Sequence, residues 1–227
     1  LTPELAREIL LLSLELRRQI GLLIDRRGYV DFVILGDAQG IVIPDLSDYR
    51  VAGDRLCGLR CIHTHLDDAA LSDEDLSDLA LLRLDMMAAV APNRAGEVGR
   101  IYWAHIATDS GDAPFVVEEP LAVNELDIDC AQLIAEWEHA LVGLNKADVK
   151  GKGYTKAFLV NIIDHDLKYA RTSLDELKEL ANSNEIEVVG IMQQHIRDRK
   201  QQQLLLGKGK LRDLAIEALQ KHTDLVI

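Results

Sequence analysis

Apolar residues recur at helical spacing through residues 4–18, with acids and arginines between the leucines, and predict an amphipathic helix. The run "QIGLLID" followed by "RRGYVDFVILGD" predicts a strand, an Arg-Gly turn and a second strand, which pair most simply as a hairpin. "GIVIPD" and "LCGLRCIHTH" predict further short strands, with the polar, Gly-punctuated stretch from Asp45 to Asp54 between them. "SDEDLSDLALLRLDMMAAV" predicts a helix that opens on Ser72 with three acids in its first turn, a favourable cap and dipole placement. Leu76, Leu79, Ala80 and Leu82 to Leu84 supply its buried face. "GRIYWAHIATD" is rich in bulky and β-branched residues and predicts a strand.

The texture then changes. "SGDAPFVVEEP" leads out of the first domain, and "DIDCAQLIAEWEHALVGL" predicts a helix with Ile128, Leu133, Ile134, Trp137 and Leu141 as its inner stripe. "NKADVKGKGYTK" has the composition of a linker. The last third alternates: "KAFLVNII" as strand, "SLDELKELANSN" as helix with a Ser173/Glu176 capping box, "EIEVVGIMQ" as strand, "GKLRDLAIEALQKHT" as helix and "DLVI" as strand. Such alternation with short links predicts a parallel sheet with crossover helices. The fold class is therefore α/β in two α/β domains, one over residues 1–117 and one over 156–227, with a helix and linker over 118–155. A last strand without cover suggests that the second domain is truncated and the chain is part of a longer protein.

Charge separates the two halves. Residues 1–147 hold 12 Lys and Arg against 26 Asp and Glu, whereas residues 148–227 hold 13 against 12. An acidic surface repels phosphate backbones, so nucleic-acid contact is expected only from the second half, chiefly "RDRKQQQLLLGKGKLR", with six bases and one acid. No apolar stretch reaches the 18 to 20 or so residues of a membrane span. The three cysteines, Cys57, Cys61 and Cys130, lack zinc-knuckle spacing and read as reduced, mostly buried thiols of a cytoplasmic protein.

Two histidines at i and i+2 on a strand project to the same side and can reach one ion, and a carboxylate beyond them completes three ligands with a position left for water. His63, His65, Ser72 and Asp75 have this layout. The stretch resembles the JAMM (MPN/JAB) metalloprotease motif, most closely its RadC-like members, over residues 1 to roughly 117. The resemblance implies a mixed sheet with helices, His63, His65 and Asp75 as metal ligands, Zn as the metal, and an upstream Glu as general base just before the first strand. Two departures stand out: Leu66 replaces the usual proline, and six residues rather than seven separate His65 from Ser72. Glu15 is the nearest candidate base, but Arg17 and Arg18 lie closer to the strand, where a cation disfavours both metal and deprotonated water. A frame that binds without hydrolysing is the expectation, with a JAMM-type zinc metallopeptidase as the alternative. His105 could approach the pair from a neighbouring strand, but reads as a core histidine, as Trp103 and Trp137 read as core. Asp164 to Asp166 ("DHD") reads as turn chemistry.

"GKGYTKAF" and "LLGKGKLRDL" offer glycines and lysines suited to anions, but neither has the G-x-x-x-x-G-K-[ST] spacing of a P-loop. From about residue 156 to the end, with "SLDELKELA", "EVVG", "GKGK" and "DLVI" in order, the chain resembles the N-terminal domain of HflX, a translational GTPase that acts on ribosomes. The resemblance implies binding to the large ribosomal subunit, ribosome splitting or rescue, and GTP with Mg in a G domain that these residues do not include. It leaves no cofactor to this segment itself, while adenine-nucleotide binding stays open. Arg197, Arg199, Lys200, Lys208, Lys210 and Arg212 are then the candidate contacts to ribosomal RNA, with Gly207 and Gly209 as the flexible binding loop. The plain alternative is that these bases are solvated ends of a strand and a helix.

Overall fold

The computed structural model describes residues 1–49, 55–108, 114–126, 128–148, 155–163, 167–195, 206–221 and 223–227. The chain divides into two units, Leu1–Ala147 and Asp148–Ile227.

The first unit is built on a six-stranded mixed sheet. Helix α1 (Pro3–Leu16) starts where Thr2 accepts from the Leu5 N–H and Pro3 takes a position whose N–H needs no partner. It ends at Arg17, whose φ of 52° puts the chain in the left-handed region and turns it into β1 (Ile20–Asp25). Asp25 then organises the tight turn to β2 (Val30–Leu35) by accepting from the Arg27 and Tyr29 N–H groups, and Gly28, at φ 93°, makes the bend that a side chain would disfavour. Strand β3 (Leu59–Thr64) pairs antiparallel with β1, and α2 (Asp73–Leu82) crosses over to β4 (Met86–Pro92), which lies parallel to β3. Antiparallel β5 (Val98–Ile106) and the short β6 (Phe115–Val117) complete the order β2-β1-β3-β4-β5-β6.

Strand alternation divides this core in two. Leu22, Ile24, Ile62, Ala88, Val90 and Ile101 face α1 through Ala6, Ile9 and Leu10. Leu23, Leu59, Cys61, Met87 and Ala104 belong to the other cluster, with Leu76, Leu79 and Ala80 of α2 and with Ile134 and Leu141 of helix α3 (Cys130–Asp148). That packing carries the first unit to Ala147, past residue 117. Arg26 adds a polar tie, gripping the fully buried Asp85 through two bonds of 2.7 and 2.9 Å and reaching Glu138 of α3 at 2.9 Å.

The second unit centres on β7 (Thr155–Ile163), flanked in parallel by β8 (Ile186–His195) and β9 (Leu225–Val226). Helices α4 (Leu167–Ser183) and α5 (Lys208–Gln220) make the two crossovers. Phe158, Met192 and Leu214 form the small core. Gly190 pairs with Phe158, and a Cβ there would overlap the phenyl ring.

The α/β class with a mixed and a parallel sheet is as expected, while four local expectations are corrected. "GIVIPD" is irregular rather than a strand, although Ile41 still anchors it in the core. The run after α2 is not more helix: Arg83 at φ 51° ends the helix, and "MMAAVAP" is β4, buried at every position and so without the alternation that betrays a strand. "SGDAPFVVEEP" contains β6. Ser173 lies inside α4, which begins at Leu167, so it caps nothing.

Candidate metal centre

His63 is the penultimate residue of β3 and His65 lies just beyond its end, on the face that Leu59 and Cys61 share with α2. Asp75 arrives from the first turn of α2, where it is fixed by a reciprocal cap. Ser72 Oγ accepts from the Asp75 N–H at 3.1 Å, and Asp75 Oδ2 accepts from the Ser72 N–H at 2.8 Å and from its hydroxyl at 2.7 Å. The capping box thus aims the carboxylate at the imidazoles.

The donor atoms converge. His63 Nε2 lies 3.0 Å from His65 Nε2 and 3.4 Å from Asp75 Oδ1, and His65 Nε2 lies 3.7 Å from Asp75 Oδ2. Donors about 2.0–2.2 Å from one tetrahedral ion stand roughly 3.3–3.6 Å apart, and these separations of 3.0, 3.4 and 3.7 Å bracket that edge. All three residues are buried, His63 completely.

Proton positions favour the same use. His65 Nδ1 lies 2.8 Å from the Ala69 carbonyl, which can only accept, so Nδ1 carries the hydrogen and neutral His65 turns the lone pair of Nε2 towards His63 and Asp75. Metal-binding histidines are commonly oriented through their second nitrogen in this manner. His63 lacks that support, because its buried Nδ1 has no partner among the described residues. Burial opposes charge on His65, but Asp75 and the Ala69 carbonyl raise its pKa above the ordinary value. Burial likewise opposes the Asp75 carboxylate, yet the imidazoles beside it and the bonds from Ser72 hold its pKa far below the usual range. Asp75 is therefore an anion ready to ligate.

His63, His65 and Asp75 each bring one ligand atom within 4.8 Å of the others, and among the described residues no other carboxylate joins them. Glu15 is exposed on α1, and Arg18 donates to the Gly36 carbonyl at 2.6 Å. His105 lies elsewhere, bonded to Glu118 at 3.1 Å and stacked on Trp137 at 4.1 Å. One residue was overlooked. Gln19 is 5 % exposed, and its side-chain oxygen has no hydrogen-bond partner among the described residues. It shares a face with Gly21 and Leu23 by alternation, and a glutamine at an inward strand position is the signal that could have revealed it.

The basic candidates belong to the second unit. Arg197, Arg199 and Lys200 lie outside the described residues, as do Asp164 to Asp166. Gly207 precedes α5 and accepts from the Leu211 N–H at 3.0 Å; Lys208 opens the helix, with Gly209 and an exposed Lys210 next and a half-buried Arg212 beyond. The first turn of α5 carries no acid. Residues 171–227 match the family model of the GTP-binding GTPase N-terminal domain. This similarity spans most of α4 and all of β8, α5 and β9, and associates the second unit with a GTPase. No solved structure matches the chain.

Proposed function

We propose that this chain is the N-terminal region of an HflX-type GTP-binding protein of the cytoplasm, and that its second unit contacts RNA of the large ribosomal subunit to help split or rescue ribosomes. The reading is carried by the similarity of residues 171–227 to the GTP-binding GTPase N-terminal family. A physical observation supports the RNA-facing role. Lys208 and Lys210 occupy the first turn of α5, where the helix dipole disfavours cations by about 0.3–1 kcal/mol each, and an RNA phosphate at that end would reverse the penalty. Arg197, Arg199, Lys200 and Arg212 extend the same basic segment in sequence. On this reading GTP and Mg belong to a G domain of the parent protein, and this region is not catalytic by itself. Co-sedimentation with large ribosomal subunits at graded salt tests it. Binding should weaken as salt rises, and Lys208→Ala with Lys210→Ala should lower the log–log salt slope by about 0.7–0.9 per lost phosphate contact. Absence of co-sedimentation at low salt, or an unchanged slope in the double variant, overturns it.

A second reading concerns the first unit, and the spacing of its three donors favours it. There, a JAMM-like frame holds a zinc-like ion through His63, His65 and Asp75. Such a frame binds the ion, and a JAMM-type zinc metallopeptidase would in addition need a carboxylate base beside it. Elemental analysis of protein purified without added metal should find one chelator-removable ion per chain, lost in His63→Ala.

A further inference from the structure

We infer that Gln19 supplies a fourth donor to the His63–His65–Asp75 site and makes it a closed, structural metal centre; this rests on the metal reading above. Strand register brings the residue there. Gly21 pairs with His63 across β1 and β3, so two residues back along the antiparallel ladder Gln19 falls opposite His65. Side chains two apart on a strand share a face, which puts Gln19 on the side of the imidazoles and of α2. Its backbone is held on both polar groups: the N–H donates to the Asp37 carbonyl at 2.8 Å, and the carbonyl accepts from the Gly36 N–H at 2.9 Å. The neighbouring Ile20 N–H donates to Thr64 Oγ1 at 2.9 Å, clamping β1 to β3 between the two histidines.

A buried amide oxygen without a hydrogen-bond partner is uncommon, and it calls for a ligand. Here it accompanies a triad whose donors already have ion-like spacing. Three protein ligands leave a catalytic zinc one open position, whereas structural sites fill all four. An amide oxygen can fill that place, but it cannot take a proton as a carboxylate would, so the same residue completes the coordination and withholds a base.

Co²⁺ uptake and Zn²⁺ affinity by chelator competition test this on the intact chain, for wild type, Gln19→Leu, Gln19→Glu and His63→Ala, with circular dichroism to verify folding. Wild type should bind one Co²⁺ with the intense visible absorption of four-coordination. Gln19→Leu should bind Zn²⁺ at least about ten-fold more weakly, with a Co²⁺ spectrum shifted and made pH-dependent by the water that takes the fourth position. Gln19→Glu, which keeps an oxygen donor, should bind at least as tightly as wild type and guards against a mere packing defect. Unchanged affinity in Gln19→Leu, or weakened affinity with an unchanged Co²⁺ spectrum, overturns the assignment of Gln19 as a ligand and leaves the three-donor reading standing. If wild type takes up no ion, or binds no better than His63→Ala, the metal reading falls and this inference falls with it.

Discussion

Thr64 separates the two imidazoles in sequence and points to the opposite side of the sheet, where it joins a buried chain of hydrogen bonds. The Ile20 N–H donates to Thr64 Oγ1 at 2.9 Å, the Thr64 hydroxyl donates to Ser13 Oγ at 2.7 Å, and the Ser13 hydroxyl donates to the Arg18 carbonyl at 2.7 Å. Ser13 and Thr64 are fully buried, so no water can substitute. Thr64→Val keeps the shape and removes the hydroxyl. An orphaned buried N–H costs about 1–3 kcal/mol, and the weakened Ser13 link adds about 1 more, which predicts a loss of roughly 2–4 kcal/mol. Ser13→Ala should cost about 1–2 kcal/mol, and the double variant should be less destabilised than the sum by about 1 kcal/mol, because the two residues serve one chain. Urea unfolding followed by tryptophan fluorescence is a suitable assay, since Trp103 and Trp137 are the only tryptophans and both lie in the first unit. A Thr64→Val change within about 0.5 kcal/mol of wild type, or strict additivity in the cycle, would refute the reasoning.

Removing Arg26 leaves the Asp85 carboxylate, among the described residues, with the Gly58 N–H at 3.0 Å for compensation. Breaking a buried pair costs about 3–5 kcal/mol, but Arg26 is partly exposed, so Arg26→Ala should lose about 2–3 kcal/mol in the same urea assay. Burial pushes the Cys57 thiol up to about 11 and the Cys61 thiol higher still, while Cys130 is only half-buried. A thiol reagent at pH 8 should therefore label Cys130 rapidly, and all three cysteines only after unfolding. Gly190→Ala should destabilise the second unit by about 1–3 kcal/mol through its clash with Phe158, read as lost hydrogen-exchange protection in β7 and β8.

Elements with an amphipathic rhythm or clear punctuation were legible in the sequence. Helix α1, the Asp25–Gly28 turn, the Ser72 cap and the parallel alternation of the second unit all announce themselves in residue types. Strand β4 did not, because "MMAAVAP" is covered on both faces and its apolar run nearly continues that of the preceding helix, with Arg83, Leu84 and Asp85 between them. "GIVIPD" misled in the opposite direction: its apolar residues anchor a loop through Ile41 without sheet bonds to neighbours. Ser173 shows that a capping-box spacing can occur within a helix. For the candidate metal centre, the histidine pair was legible from its spacing, and Asp75 from the resemblance of residues 63–75 to the JAMM motif. Gln19 was hidden because its relation to His65 exists only through β1–β3 pairing, which a linear pattern does not display.

The compactness of that segment bears on the order in which the first unit can assemble. One strand end and the next helical turn contain His63, His65 and Asp75, so bringing them together closes only a short loop and surrenders little chain entropy. Ser13, which braces the strand from behind, is 51 residues from Thr64 and must wait for a far larger closure. The triad can therefore be sketched early in folding, while its rigidity and dryness arrive only when the amino-terminal helix docks.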